Sequence, residues 1–333
     1  MSVASILPGL IERFFTQRLI QQRNASPHTI ASYRDTFRLL FAFALARLGK
    51  PPSKLDLADL NAPFVGAFLD DLEASRSIGI KTRNLRLTAI RAFLRFVALE
   101  EPAYAGQIQR VLAIPGKLHD RREVHFLTRD EINAILAAPD RSSWIGRRDH
   151  MLLHLAAQTG LRLSEIVQLE RTAVVLGAGA HVRCLGKGRK ERCTPLTTQT
   201  RHALQAWLKE AGRFGSMRLF PNLHGGDLSA DAVQRLLRRH VATATQACPS
   251  LRRKRVTPHV LRHTAAMELL QAGVDISVIA LWLGHESIKT TQVYLHAHLA
   301  LKEAALAKVK PFNGRKGGRY QPGDRLLAFL EAL

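Results

Sequence analysis

The stretch from residue 257 to 296 limits the fold most, because it contains three helix starts in close succession. Thr257 is a suitable N-cap, and Pro258 follows at the first helical position, where a missing N–H has no partner to lose. Asp275 can cap a second helix, and a serine three residues after Gly284 can cap a third. Gly284 itself is a common residue at a helix C-terminus. The sequence therefore predicts three short helices joined by tight turns.

Four side chains that could bind a phosphate or attack it lie at or near the ends of these helices. His259 and Arg262 are one turn apart on the first helix, His285 lies in the turn after the second, and Tyr294 lies on the third. Helix N-termini favour anions, so the histidine and the arginine indicate a phosphate pocket. A phenol is a weak nucleophile at its ordinary pKa of about 10. Beside cationic donors, however, Tyr294 could attack a phosphodiester and form a covalent intermediate.

Two upstream segments add further cations. An apolar helix is predicted to break at Thr159-Gly160 and to restart with Arg162 in its first turn. The sequence HVRCLGKGRKERCTPL, residues 181–196, alternates as two short strands around a basic turn that carries Lys187. Arg162 is thus a second candidate phosphate ligand, and Lys187 is a candidate proton donor on a hairpin.

Five segments, TGLRLSE, GKGRKER, PHVLRHT, LGHES and TTQVYLH, occur in this order between roughly residues 120 and 300. Together they resemble the catalytic signature of the tyrosine recombinase (phage integrase) family. The resemblance implies a mainly α fold with a small β-sheet, built from a helical N-terminal core-binding domain and a mixed α/β catalytic domain. It implies Glu165 as a residue that orients its neighbours. The catalytic residues that it implies are Arg162, Lys187, His259, Arg262, His285 and Tyr294.

The resemblance implies transesterification that needs no metal and no other cofactor. The arginines would stabilise charge on the phosphate oxygens, and Lys187 would protonate the leaving 5′ oxygen. His259 would assist proton transfer from Tyr294 or bind a phosphate oxygen. The product would be a 3′-phosphotyrosyl intermediate, which a second 5′-hydroxyl can resolve without ATP. The expected function is site-specific recombination in the integration, excision, resolution or transposition of a mobile element.

Two alternatives remain open at this point. The triplet His296-Ala297-His298 lies close to Tyr294 and would suit a metal-dependent HUH-type nickase or relaxase. A non-catalytic DNA-binding regulator could share the fold, although such a protein has no use for Lys187 and Tyr294 together. Cleavage that is insensitive to chelators would distinguish the recombinase from the nickase.

The charge of the chain favours a polyanionic partner. Its 333 residues include 49 Lys and Arg against 27 Asp and Glu, which gives a net charge of +22. The excess is present in both halves, as in a protein that holds double-stranded DNA from two sides. The three cysteines form no CxxC pair, and no apolar run approaches the ~20 residues that span a bilayer. We therefore expect a cytoplasmic protein that works on the nucleoid, without membrane contact.

The chain is predicted to divide into four parts. Thr128 and Glu131 form a capping box that opens the catalytic domain. The expected bounds are a helical core-binding domain at 1–113, a linker at 114–127, the catalytic domain at 128–310, and a flexible linker with a C-terminal docking helix at 311–333. Within the first domain, helices are expected at about residues 5–22, from 26 onward, at 60–74 and at 80–99.

Basic residues in three segments are candidate DNA contacts. One group lies on the predicted helix 80–99, which has almost no acidic residues between its cations. A second group lies in the hairpin turn, and the third is the RRKR run before the His259 helix. The candidates are Lys81, Arg83, Arg86, Arg91, Arg189, Lys190, Arg252, Arg253, Lys254 and Arg255.

The C-terminal sequence DRLLAFLEAL begins with Asp324, a suitable N-cap, and presents an apolar face. A helix of ten residues is marginal alone in water, so this face requires a groove. The resemblance implies that the helix 324–333 docks on a neighbouring protomer and closes a synaptic tetramer on DNA core sites. Docking on its own protomer is the alternative.

Overall fold

The computed structural model describes residues 5–119, 125–186, 191–212 and 215–297. The chain forms two compact units, Met1–Arg122 and Glu123–Leu333, and their boundary lies within the predicted linker. The predicted C-terminal linker and docking helix lie outside the described residues.

The described residues of the N-terminal unit form helices joined by short loops, without a strand. Each of the four predicted helices is present, although the first continues from α-helical to π-helical geometry at Phe14. A further helix near residue 110 was not predicted, because eight residues give too short a periodic pattern. The elements are α1 Leu7–Arg13, a π-helix Phe14–Gln22, α2 Pro27–Leu48, α3 Ala62–Arg76, α4 Ile80–Glu100 and α5 Ala105–Leu112.

Local capping and aromatic packing explain this unit. The Ser26 hydroxyl accepts a hydrogen bond from the backbone of Thr29 at the start of α2. Phe14, Phe37 and Phe93 meet at ring-centroid distances of 5.3–6.4 Å with edge-to-face geometry, which aromatic rings prefer. These contacts join the first helix to α2 and α4.

The basic residues of α4 are placed differently from the prediction. Arg83 is buried and its Nε lies 3.3 Å from the Glu73 carboxylate, so the guanidinium faces the protein. Arg86 and Arg91 donate to backbone carbonyl groups of the same unit. Only Lys81, of the four candidates on this helix, is exposed. A basic residue on an amphipathic helix can therefore serve packing rather than DNA contact.

The second unit combines eight α-helices and one small sheet in its described residues. The sheet has the order β1-β2-β3, both pairs are antiparallel, and Cys184 lies opposite Arg192. The predicted hairpin is confirmed as β2 and β3. The elements are α6 Arg129–Ala137, α7 Trp144–Thr159, α8 Leu163–Gln168, β1 Val174–Val175, β2 His181–Leu185, β3 Glu191–Pro195, α9 Thr198–Ala211, α10 Ala230–Ala244, α11 Pro258–Gln271, α12 Ile276–Leu283 and α13 Ile288–Ala297.

The predicted helix boundaries of this unit are confirmed by their caps. Thr128 and Glu131 form the capping box that opens α6. Thr257 caps α11, and Asp275 accepts a 2.7 Å hydrogen bond from the backbone of Ser277 at the start of α12. Gly160 ends α7 with φ of 63°, a conformation that favours glycine.

Two groups of buried apolar side chains lie in this unit. The larger surrounds α7 and includes Trp144 and Trp207. The smaller, which we call the α11–α13 cluster, contains the nucleophile candidate predicted from the sequence. Its buried members are Ala266, Met267, Leu270, Ile279, Leu283 and Tyr294. None of the helices in the described part of the chain has the length and hydropathy to cross a lipid bilayer.

Replacing Gly160 with alanine should destabilise this unit more than replacing Gly179. Both residues have positive φ, so either alanine costs about 1–2 kcal/mol in backbone strain. An added Cβ at Gly160 would also lie 2.8 Å from Leu283 Cδ2 and 3.2 Å from Ala265 Cβ, whereas nothing lies within 4 Å at Gly179. We expect a further loss of about 1–3 kcal/mol for Gly160→Ala from overpacking. The free energy of unfolding in urea measures both, and equal losses would contradict the close packing.

Candidate active site

The C-terminal end of α12 presents three successive backbone carbonyl groups to the site. The last carbonyl groups of a helix lack partners within it and carry partial negative charge, so they attract cations. Each of the three accepts a hydrogen bond from a different arginine: Trp282 from Arg192 Nε at 3.2 Å, Leu283 from Arg262 Nη2 at 2.7 Å, and Gly284 from Arg162 Nη2 at 2.7 Å. One helix end thus gathers cations from three distant parts of the chain.

A single buried carboxylate joins two of these arginines. Glu165, with a side chain only 3% exposed, accepts from Arg192 at 2.8 and 2.7 Å and from Arg162 Nη1 at 2.9 Å. It also accepts from the backbone N–H of Arg162 at 2.7 Å and so begins α8. Burial alone would raise the pKa of Glu165, but the hydrogen bonds from Arg192 and Arg162 hold it below its ordinary value. Glu165 is therefore ionised and orients both guanidinium groups.

Arg262 is the most deeply placed of the three arginines. Its Nη1 donates to the carbonyl oxygen of Gly160 at 2.7 Å, where α7 ends. Burial lowers the pKa of Arg262 to about 10, and the positive charge of Arg162 acts in the same direction. The side chain remains protonated at neutral pH. Its position depends on the break in α7 and on the end of α12.

His285 is placed by the turn that ends α12. Gly284 has φ of 65°, and the backbone N–H of His285 donates to Ala280 O at 2.9 Å, as in a Schellman motif. The His285 Nδ1 lies 2.7 Å from the hydroxyl of Thr291 on α13. Burial, together with the neighbouring guanidinium groups, lowers the pKa of His285 to about 4. His285 is therefore neutral at pH 7.

The electrostatics of this arrangement suit a phosphodiester. Arg162, Arg192 and Arg262 carry three positive charges, and Glu165 carries one negative charge. The other acceptors are backbone carbonyl groups, which fix the guanidinium groups without cancelling their charge. The site therefore keeps an excess of positive charge, which can stabilise negative charge that develops on phosphate oxygens.

Tyr294 lies beside this site, within the α11–α13 cluster. Its side chain is 2% exposed, and its hydroxyl lies 2.9 Å from the Nδ1 of His263. The two rings meet edge to face at a centroid distance of 5.5 Å. Burial raises the pKa of Tyr294, and the charge of Arg262 opposes this rise. The phenol is consequently protonated and sheltered from solvent.

The other predicted residues, His259 and those of the hairpin turn, do not belong to this group of contacts in the described residues. His259 is exposed in the first turn of α11. Lys187, Arg189 and Lys190 lie outside the described residues. The structure thus brings together Arg162, Glu165, Arg262 and His285 around α12, with Tyr294 adjacent on α13.

Sequence reasoning missed Arg192 and His263. Arg192 is one of several cations in GKGRKER, and only its position on β3, facing Glu165, distinguishes it. An added Cβ at Gly284 would lie 2.8 Å from Arg192 Nη1, so the glycine also makes room for this side chain. His263 directly follows Arg262. The sequence signal for it was a second histidine in PHVLRHT, to which no role had been assigned.

The basic run before α11 divides into two kinds of residue. Arg252, Arg253 and Arg255 are exposed. Lys254 instead donates to Glu131 at 2.7 Å and to the carbonyl oxygen of Phe126 at 3.1 Å. Lys254 therefore supports the start of α6, in contrast to its predicted role as a DNA contact.

Comparison with known proteins decides the family. Residues 125–300 match the Phage integrase family, and residues 11–101 match the Phage integrase, N-terminal SAM-like domain. The chain belongs to the phage integrase family. This tyrosine recombinase is 59% identical over 99% of its length to integrase/recombinase y4rC of Sinorhizobium fredii, of which it covers 99%. It is 34% identical, over 83% of this chain and 89% of the relative, to tyrosine recombinase XerC of Pelotomaculum thermopropionicum.

Solved structures share the fold of this tyrosine recombinase. A XerH recombinase bound to palindromic difH substrate in a post-cleavage complex has a TM-score of 0.69 at 21% identity, covering 86% of this chain and 81% of that one. A lambda integrase (75–356) dimer bound to a COC′ core site has a TM-score of 0.62 at 18% identity, covering 85% and 96%. The mainly α fold with a small sheet is confirmed.

Family membership establishes the class of reaction. The chain is an enzyme of site-specific DNA recombination, and the metal-dependent nickase and the non-catalytic regulator are not favoured. The His296-Ala297-His298 triplet that motivated the nickase contributes no described side chains. Among the described residues, no three or more His, Cys, Asp or Glu side chains are grouped as a metal site.

Arg192→Ala should impair cleavage although Arg192 is only a positioning residue. The change leaves Glu165 with a single arginine in a buried setting, so the free energy of unfolding should fall by about 3 kcal/mol and cleavage by at least ~10-fold. Arg192→Lys should not restore the rate, because lysine lacks the planar fork. A cleavage assay on nicked DNA and a urea titration measure the two effects.

Arg183→Ala provides the matched control on the same hairpin. Arg183 is exposed and donates to the carbonyl oxygen of Thr172, so its loss should change stability by less than about 0.5 kcal/mol. Equal rates for the two alanine variants would show that the Glu165 pair does not position Arg162.

Proposed function

We propose that Arg162 and Arg262 bind the scissile phosphate of a DNA core site, that Arg192 positions Arg162 through Glu165, and that Tyr294 is the nucleophile. The Tyr294 oxygen forms a bond to phosphorus, the bond from phosphorus to the 5′ oxygen breaks, and a 3′-phosphotyrosyl linkage results. The observation that carries this proposal is the excess positive charge held at the end of α12, with a phenol on the next helix.

The individual roles follow from the geometry and the family resemblance. Arg162 and Arg262 bind non-bridging oxygens as charge accumulates, since guanidinium groups form bidentate hydrogen bonds with phosphate. Neutral His285 offers a hydrogen bond without adding charge. From the resemblance alone, we assign proton donation to the 5′ oxygen to Lys187. We likewise assign to His259 either assistance in removing the Tyr294 proton or a hydrogen bond to a phosphate oxygen.

Strand exchange requires several protomers, and we propose a tetramer on two DNA sites. A lambda integrase tetramer bound to a Holliday junction has a TM-score of 0.62 to this chain at 17% identity, covering 88% of this chain and 78% of that one. We propose that residues 324–333 form the docking helix between protomers. The y4rC relative is named an integrase/recombinase. From the family resemblance we propose that this chain acts in the movement of a mobile element, on nucleoid DNA in the bacterial cytoplasm.

Tyr294→Phe should abolish covalent protein–DNA adducts on a nicked suicide substrate while DNA binding persists. The change removes only the nucleophilic oxygen and keeps the ring in the α11–α13 cluster. Arg162→Ala and Arg262→Ala should also retain most of the binding, whereas their cleavage rates should fall by orders of magnitude. Denaturing gels detect the adduct. An adduct formed by the Phe variant would assign the nucleophile to another residue.

We also propose that the exposed arginines before α11 contact DNA phosphates. Arg252, Arg253 and Arg255 lie in a short stretch with no acidic residue between them, directly before the helix that carries Arg262. Their charges are exposed, in contrast to those of Arg83 and Lys254. Phosphate contacts of this kind supply affinity without reading sequence.

Changing these three arginines to glutamine should flatten the salt dependence of DNA affinity. Each lost phosphate contact reduces the log–log slope by about 0.9, so the triple variant should lose up to about 2.7. Fluorescence anisotropy across a salt series measures the slope. Lys254→Gln is the matched control, because it should lower stability through Glu131 and leave the slope unchanged. Equal slopes for the triple variant and the wild type would refute this surface.

A further inference from the structure

The hydrogen bond between Tyr294 and His263 has no part in the phosphate site described above. The phenol oxygen and the His263 Nδ1 are 2.9 Å apart, and Tyr294 is almost completely buried. His263 lies on α11 and Tyr294 on α13, so the contact links two helices. It is the only hydrogen bond of the Tyr294 hydroxyl to a described residue.

The tautomer of His263 decides the direction of this hydrogen bond. Burial lowers the pKa of His263 to about 4, and His259 and Arg262 act in the same direction. Burial raises the pKa of Tyr294. At neutral pH a protonated phenol therefore faces a neutral imidazole. We assign to His263 the tautomer that carries its proton on Nε2, in which the phenol donates to Nδ1.

This arrangement buries the Tyr294 hydroxyl within the protein rather than exposing it to DNA. The Tyr294 ring is surrounded by the apolar side chains of the α11–α13 cluster, and its oxygen is satisfied by the histidine. A phosphodiester as large as a DNA backbone has to meet the oxygen directly, so attack requires the ring to leave this position. Breaking the hydrogen bond is part of that departure.

We propose that His263 is a positioning residue that holds Tyr294 in a sheltered resting state and thereby delays its attack on DNA. The inference deepens the proposed function, since it presumes that Tyr294 is the nucleophile. A buried hydroxyl without a partner is unfavourable, so removal of the acceptor shifts α13 toward the released state. His263 thus sets how often the nucleophile is available.

Two substitutions distinguish the role of the hydrogen-bond acceptor of His263 from the role of its aromatic ring. His263→Phe keeps an aromatic ring against Tyr294 but removes the acceptor. His263→Asn places an amide oxygen near the position of Nδ1 and keeps the acceptor. If the Phe variant does not fold, His263→Leu tests the same loss with a smaller side chain.

Nitration by tetranitromethane reports on Tyr294 in the DNA-free protein, independently of catalysis. Peptide mass spectrometry should show nitration of Tyr294 accelerated on the order of tenfold in the Phe variant and close to the wild-type rate in the Asn variant. Tyr33, buried in the N-terminal unit, is the internal reference and should react at an unchanged rate. Nitration of Tyr294 at the wild-type rate in both the Phe and the Leu variants would overturn the proposal. An equal increase in the nitration rate of Tyr33 would also overturn it.

Cleavage of a nicked suicide substrate provides the second readout. Adduct formation by the Phe variant should be faster than that of the wild type, with the Asn variant in between or equal to the wild type. Slower cleavage with normal nitration would show that His263 serves the reaction itself and refute the resting state. If Tyr294 were not the nucleophile, the nitration result would still stand while the cleavage rates stayed unchanged, so the two failures are distinguishable.

Discussion

The organisation of the site depends on the way in which α12 ends. A helix that stops at a left-handed glycine leaves its final carbonyl groups without helical partners, and here arginines take them. Those arginines come from the start of α8, from β3 and from α11. Any residue other than glycine at position 284 would strain the turn and press on Arg192. The position of His285 follows from the same turn, because its backbone N–H closes the loop onto Ala280.

The parts of this site that could be predicted from the sequence are those with local causes. The caps at Thr128, Thr257 and Asp275 follow from side chains that bond to their own backbone neighbours within three residues. The break at Gly160 follows from the positive φ that glycine adopts without strain. The hairpin follows from alternation around a glycine-rich turn. The structure confirms each of them. Such features require no knowledge of what packs against them.

The parts that could not be predicted depend on tertiary contacts. Arg83 and Arg192 look like any other surface arginine in the sequence, but Arg83 is buried and Arg192 is largely buried, each against a glutamate. Burial of a charge is decided by the partner that the fold supplies, and the partner of Arg192 lies 27 residues away. His263 is similar, since its role depends on α13, 31 residues further along the chain. A helical pattern shows a face but not what covers it.

The small size of the α11–α13 cluster has a consequence for the order of events on DNA. Only six buried side chains in the described residues form this cluster, and the much larger core around α7 is distinct from it. Local opening of so few contacts costs far less than global unfolding and takes place on timescales of about microseconds to seconds. The phosphate site can therefore stay fully assembled while the nucleophile is still withdrawn. Under the proposed resting state, DNA held in the wrong register would have time to dissociate before a strand is broken, and the delay would favour fidelity.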